Sequence, residues 1–149
     1  MKVKHLVFSI ILAAFFMSSA ISTDNSLTIG KEAPIIEMKD GSNVGYDANN
    51  RSKTRLISFW SPKKPASRIA NREFSRLYGD NNDESIELIS ICTDPDEALM
   101  NEVIKIDGMT KHNNYSYSQI SPRVFKDYDV ETNPKAFMIS PEGKITSIL

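Results

Sequence analysis

An apolar run that is followed by two prolines and then by a helical repeat constrains the fold more than any other part of the chain. Residues 56–60 are Leu-Ile-Ser-Phe-Trp, a short segment typical of a buried central strand. From Pro65 onward apolar residues recur at helical spacing: Ala66, Ile69, Ala70, Phe74 and Leu77. Proline suits the first turn of a helix, where its missing N–H costs little. The sequence thus predicts a buried strand, a tight turn at 61–64 and an amphipathic helix that begins at Pro65.

A second strand and a second helix follow. Residues 86–92 are apolar enough for another buried strand. Asp94, Pro95 and Glu97 then combine three signals of a helix start: an N-cap, a proline in the first turn and an acidic residue that completes a capping box. The predicted inward stripe of this helix is Leu99, Val103 and Ile106.

The last part of the chain predicts a loop, a short helix and an antiparallel hairpin. Residues 108–118 are polar and aromatic without a clear period, so we expect a loop there. Ser121 and Pro122 repeat the cap and proline of a helix start. Residues 135–139 and 144–148 are predicted strands joined by a turn. This order of elements predicts a single α/β domain.

The N-terminus has the pattern of a secretory signal. Lys2, Lys4 and His5 precede an apolar run at 6–17, and small residues follow it up to Ala20. The run has twelve residues, fewer than the ~20 that a membrane-spanning helix needs. We expect cleavage after Ala20, export to the periplasm and no membrane association afterwards. The mature chain is then a flexible lead at 21–30 and one domain at 31–149.

Charge and cysteine content exclude several functions. The predicted signal holds two lysines and no acidic residue, so its removal takes the formal net charge from −1 to −3. This leaves no basic surface for nucleic acid or anionic lipid. Cys92 is the only cysteine, so no internal disulfide can form. His112 is the only histidine of the mature chain, and there is no glycine-rich phosphate motif, so we predict neither a metal site nor a cofactor.

Two segments form a recognisable combination: Gly30-Lys31-Glu32-Ala33-Pro34, and residues 59–68, in which an aromatic pair leads through a short turn to an arginine. Together they resemble the thioredoxin-like superfamily, in its branch of peroxiredoxins and periplasmic thiol-disulfide reductases (the alkyl hydroperoxide reductase and thiol-specific antioxidant type). The first segment is similar to the G-x-x-A-P entry of that branch, and the second to its active-site segment, where an aromatic pair leads into C-x-x-C and often arginine. Lys64 and Ser67 occupy the places of the two cysteines, so the site is degenerate.

The resemblance covers about residues 30–149 and implies a thioredoxin-like fold, with a central mixed β-sheet flanked by helices. It also implies that Asn133-Pro134 lies beside the site with a cis peptide bond, as the matching proline does in the family. Family members continue past the hairpin into a C-terminal helix, whereas this sequence is given to Leu149. That helix is therefore expected to be missing, with one face of the sheet uncovered.

Three hypotheses for function follow from the residues and the resemblance. The first is a non-catalytic module that binds a peptide or protein at six residues: Trp60, Lys63, Lys64, Ser67, Asn133 and Pro134. The second is a thiol-disulfide oxidoreductase or antioxidant enzyme that acts as a monothiol through Cys92. The third is a structural subunit that docks a partner on its uncovered sheet face. Two simpler interpretations remain open. The lysines of the turn are then only solvent-exposed side chains, and Cys92 is then only a buried core residue.

Overall fold

The computed structural model describes residues 26–45, 52–79, 85–109 and 113–149. The predicted signal and His112 lie outside these described residues. The elements in chain order are β1 (Ile36–Glu37), β2 (Asn43–Val44), β3 (Thr54–Trp60), α1 (Pro65–Tyr78), β4 (Ile86–Cys92), α2 (Glu97–Ile106), β5 (Asn114–Tyr115), α3 (Pro122–Asp127), β6 (Ala136–Ile139) and β7 (Ile145–Ile148).

A five-stranded mixed sheet in the order β5-β4-β3-β6-β7 is the centre of the domain. Strand β3 pairs with β4 in parallel along its whole length, so that Trp60 lies opposite Cys92 at the last position. On its other side β3 pairs antiparallel with β6, and β6 with β7. The parallel pair brings the C-terminal ends of β3 and β4 to the same edge of the sheet, and the 61–64 turn begins there.

Helices cover both faces of the sheet over its central strands β3 and β4, so the expectation of an uncovered face is wrong there. Alternate β3 residues, Ile57 and Phe59, belong to a cluster that includes Val124 and Phe125 of α3. Leu56 belongs to a second cluster, packed against Phe74 and Tyr78 of α1. A third cluster joins Trp60 and Cys92 to the buried side chains of α2: Met100, Val103 and Ile104. The predicted mixed sheet with helices on both faces is therefore confirmed. None of the helices in the described residues is long and apolar enough to cross a membrane.

Helix α1 begins at Pro65 as predicted, but its buried face differs from the prediction. Ile69 and Leu77 are 53% and 47% exposed, whereas Asn71 and Ser75 are buried. The Asn71 amide carbonyl accepts a hydrogen bond from Ser90 Oγ on β4 at 2.8 Å, and the amide nitrogen donates to Met109 Sδ at 3.3 Å. Because the amide is hydrogen-bonded, it can be buried at little cost. The helix turns this polar residue inward and leaves part of its apolar stripe outside.

The start of α2 lies two residues later than predicted. Asp96, not Asp94, is the N-cap, and its carboxylate accepts from the Leu99 N–H at 3.0 Å. Asp94 instead accepts from the Asp96 N–H at 2.9 Å in a local turn that competes with the helix. The predicted inward residue Ile106 is exposed, and Met100 and Ile104 are buried in its place.

The predicted loop at 108–118 contains a short strand. Asn114 and Tyr115 form β5, which pairs in parallel with Ser90 and Ile91 of β4. Two residues are too short to give a period in the sequence, so this strand depends on its neighbour in the sheet.

Candidate functional site

Ser67 joins the 61–64 turn to α1. Its hydroxyl accepts a hydrogen bond from the Ser61 N–H at 3.1 Å and donates one to the Lys64 carbonyl at 3.1 Å. The Lys64 N–H in turn donates to the Ser61 carbonyl at 3.1 Å. The hydroxyl therefore has a structural role as donor and acceptor at the start of the helix.

Lys64 is the N-cap residue of α1, and its side chain crosses to the loop that precedes β6. The Lys64 ammonium donates a hydrogen bond to the carbonyl of Thr132. The 131–135 loop is also attached to the end of β3, because the Phe59 N–H donates to the Lys135 carbonyl at 3.0 Å. The structure thus places the 61–64 turn next to Asn133-Pro134, and the gap between this turn and the 131–135 loop is called the cleft below.

The expectation of a cis bond at Asn133-Pro134 is wrong. Every peptide bond among the described residues is trans. For a bond before proline the trans form is favoured by about 0.5–1 kcal/mol unless the surroundings demand the other isomer. Here the loop reaches β3 through Lys135 and the turn through Thr132 with a trans bond.

Lys63 is bound to the edge of the sheet and not to the cleft. Its ammonium lies 3.1 Å from the Asp94 carboxylate, which is 8% exposed, while the lysine side chain is 59% exposed. Because the carboxylate neutralises this ammonium, Lys63 offers less charge to an external anion than the sequence suggests. The predicted contribution of Lys63 to binding stays a prediction.

Cys92 is fully buried beneath this ion pair. It lies among the side chains of α2, and its thiol donates a weak hydrogen bond to the Asp94 carbonyl at 3.6 Å. Burial raises the pKa of the Cys92 thiol to about 11, and the Asp94 carboxylate acts in the same direction, while the Lys63 ammonium opposes it. A thiol with this pKa is almost entirely protonated at neutral pH, and the protonated form is not the nucleophile.

Trp60 was predicted to contribute to binding, but it has no exposed surface. It is 0% exposed and packs in the same cluster as Cys92. The indole N–H has no hydrogen-bond partner among the described residues. Trp60 therefore packs in the core next to the 61–64 turn. A ligand could contact it directly only after a rearrangement.

An apolar groove adjoins the cleft and contains residues that the sequence analysis missed. It has a volume of about 220 Å³. Its lining includes Ser67, Pro134 and four apolar residues not predicted as part of a site: Ala70, Phe74, Ala136 and Leu149. Ala70 and Phe74 belong to the apolar stripe predicted for α1, so that stripe was the available signal. A larger depression, of about 470 Å³, lies between the β1-β2 hairpin and α3 and contains none of the predicted site residues.

Arg68, which follows Ser67, joins α1 to the end of α2. Its guanidinium makes two hydrogen bonds of 2.7 Å to the two carboxylate oxygens of Asp107. The hydrogen bonds from Arg68 hold the pKa of the Asp107 carboxyl below its usual range, against an opposing effect of burial. This two-point contact fixes the start of α1 relative to α2.

The pH dependence of stability should report the Arg68-Asp107 contact. Because the pKa of Asp107 is lower in the folded state, its contribution is fully present above the ordinary carboxyl pKa of ~3.9 and is lost as the pH falls through the folded value. We expect Asp107→Asn to be less stable than wild type at pH 7, with the difference shrinking toward pH 3. Urea denaturation at both pH values measures this. Asp127→Asn, at an exposed pair with Arg123, is the control, and an equal difference at both pH values would refute the assignment.

The order of strands and helices and the placing of the turn at the end of β3 define a thioredoxin-like fold. No protein-family model matches the chain. No curated protein sequence matches it either. Several solved structures are similar to the chain. At the sequence identities given below, this similarity shows the shared fold.

The chain is similar to a thioredoxin-like protein from Parabacteroides distasonis, with 22% identity, a TM-score of 0.66, and coverage of 83% of this chain and 88% of that one. It is similar to the thioredoxin domain of a thiol-disulfide oxidoreductase from Bacteroides vulgatus, with 22% identity, a TM-score of 0.63, and coverage of 83% and 89%. A secreted disulfide oxidoreductase from Mycobacterium tuberculosis has 16% identity and a TM-score of 0.57, with coverage of 78% and 81%.

Proposed function

We propose that this protein is an exported, non-catalytic thioredoxin-fold module that binds a peptide segment of a partner protein at the cleft and the adjoining groove. The observation that carries this proposal is the chemistry of the two cysteine positions. Lys64 and Ser67 hold an amine and a hydroxyl there, and both groups are engaged in hydrogen bonds within the protein. Neither group can exchange disulfides, whereas the 61–64 turn and the 131–135 loop still form a cleft around them.

The size and the lining of the groove favour a peptide as the ligand. Its volume of about 220 Å³ is smaller than the ~300–1,000 Å³ of typical cofactor and small-molecule pockets. Its lining of alanine, phenylalanine, proline and leucine suits an apolar side chain. Exposed backbone at Thr132 and Asn133 lies beside it for polar contacts. A peptide that places an apolar side chain in the groove and its backbone along the 131–135 loop fits both features.

A monothiol enzyme that uses Cys92 is the second candidate. It is favoured by the thiol-disulfide oxidoreductases among the similar structures. The burial of Cys92 and the raised pKa of its thiol disfavour it. We also propose, from the signal-like residues 1–20, that the domain at 31–149 acts in the periplasm, and we leave the peroxiredoxin branch as a prediction.

Binding to an unfolded polypeptide tests the proposed function. Reduced and carboxymethylated α-lactalbumin is a suitable probe, because it exposes apolar segments and carries no free thiol. We expect wild-type protein to bind it, and Ala66→Glu to weaken binding about tenfold, since a charge at the groove opposes apolar burial. The affinity is measured by isothermal titration or fluorescence anisotropy.

A matched substitution controls for folding and charge. Ala66 lies in the first turn of α1, where an acidic side chain is compatible with the helix dipole. Ala98→Glu makes the same change in the first turn of α2, at an exposed position away from the groove. The proposal fails if wild-type protein does not bind the probe, or if the two variants bind equally well.

A further inference from the structure

The backbone of Lys64 is held in place by its neighbours. Its N–H donates to the Ser61 carbonyl at 3.1 Å, and its carbonyl accepts from the Arg68 N–H at 3.0 Å and from Ser67 Oγ at 3.1 Å. With the backbone fixed at the N-cap of α1, the side chain leaves the helix in one direction, across the cleft toward Thr132. The contact joins two segments that are 68 residues apart in sequence.

The charge of Lys64 is balanced differently from that of its neighbours. Lys63, Arg68 and Lys135 each pair with a carboxylate, from Asp94, Asp107 and Asp129 respectively. The Lys64 ammonium instead donates its hydrogen bond to a neutral carbonyl. Both Lys64 and Thr132 are exposed, so water can replace either partner when the contact opens. The contact therefore closes the cleft without being needed to satisfy a buried group.

We propose that Lys64 is an internal strap, which closes the cleft in the unbound protein and has to leave the Thr132 carbonyl before a peptide can lie across it. This inference rests on the proposed peptide-binding function. A carbonyl oxygen can accept two hydrogen bonds, so the competition is for space: the Lys64 side chain lies across the cleft, where the backbone of a peptide has to pass to reach the Thr132 carbonyl. The free energy needed to break the Lys64–Thr132 contact therefore lowers the affinity of any peptide that binds this carbonyl.

The strap can be tested without a ligand by backbone ¹⁵N relaxation. Lys64→Met keeps the length of the side chain and removes the donor, whereas Lys64→Arg keeps a charged donor. We expect the order parameters of Thr132 and Asn133 to fall from about 0.85 toward ~0.6 in Lys64→Met and to remain near wild type in Lys64→Arg. Lys105→Met, which removes an exposed cation on α2, is the control and should leave them unchanged. Unchanged values in Lys64→Met would overturn the strap, whatever the protein binds.

The second test measures affinity for reduced and carboxymethylated α-lactalbumin. We expect Lys64→Met to bind it about threefold to tenfold more tightly than wild type, because no hydrogen bond to a charged donor has to be broken first. Equal or weaker binding by Lys64→Met, alongside binding by wild type, would overturn the strap and leave the proposed function intact. If no variant binds the probe, the proposed function fails, and the competition between strap and peptide fails with it.

Discussion

We expect native Cys92 to react with iodoacetamide at pH 7.5 at least about a hundredfold more slowly than the same cysteine in the unfolded chain. Burial raises the pKa of the thiol from an ordinary value of 9.0 to about 11, which reduces the thiolate fraction by about that factor. Complete burial slows the reaction further, because the reagent has to wait for a local opening. Quenched alkylation followed by mass spectrometry, with and without urea, gives both rates on the single cysteine.

Two variants sharpen this measurement. Lys63→Met removes the ion pair next to Cys92. Because the Lys63 ammonium favours the thiolate, the pKa of the thiol should rise further in this variant, and native alkylation should become slower. Lys105→Met is the matched loss of an exposed cation that is not among the causes of the raised pKa. A native alkylation rate within tenfold of the unfolded rate would contradict a structural role for Cys92 and would favour the monothiol enzyme.

Phe59→Ala should destabilise the domain by about 3–5 kcal/mol, the usual cost of emptying an aromatic site in a core. Phe59 is 1% exposed, and its ring centre lies 5.0 Å from that of Tyr128 and 6.2 Å from that of Phe137. Domains of this size have a free energy of unfolding of about 5–15 kcal/mol, so the change removes a large share of it. Urea denaturation followed by circular dichroism measures the loss.

Ile69→Ala is the control for this prediction. The sequence alone places Ile69 on the inner face of α1, but the structure leaves it 53% exposed. We therefore expect a change within about 0.5 kcal/mol, as at other surface positions. A loss at Ile69 comparable to that at Phe59 would mean that α1 packs as the sequence predicted and not as the structure shows.

The strands and the start of α1 could be predicted because their signals are local. Residues 56–60 and 86–92 are apolar and bounded by polar or proline-containing segments, and Pro65 is itself a marker of a helix start. Local patterns thus predicted the strands and helices, whereas the thioredoxin-like fold and the place of the candidate site came from the resemblance to that superfamily.

The details that decide the chemistry depend on contacts between distant residues. The apolar stripe predicted for α1 does not include Asn71, because the sequence does not reveal that Ser90 and Met109 would satisfy its amide. Asp94 has every local mark of an N-cap, yet it pairs with Lys63. The approach of Lys64 to Thr132 joins segments with no common pattern. Such partners become known only when the chain is folded.

The hydrogen bonds of Ser67 bear on how the cleft responds to its surroundings. Cysteines at positions 64 and 67 would be oxidised or reduced with those surroundings, whereas the hydroxyl and the amine found there do not respond to that change. We therefore expect the surface that we propose for peptide binding to be the same in an oxidising and in a reducing compartment.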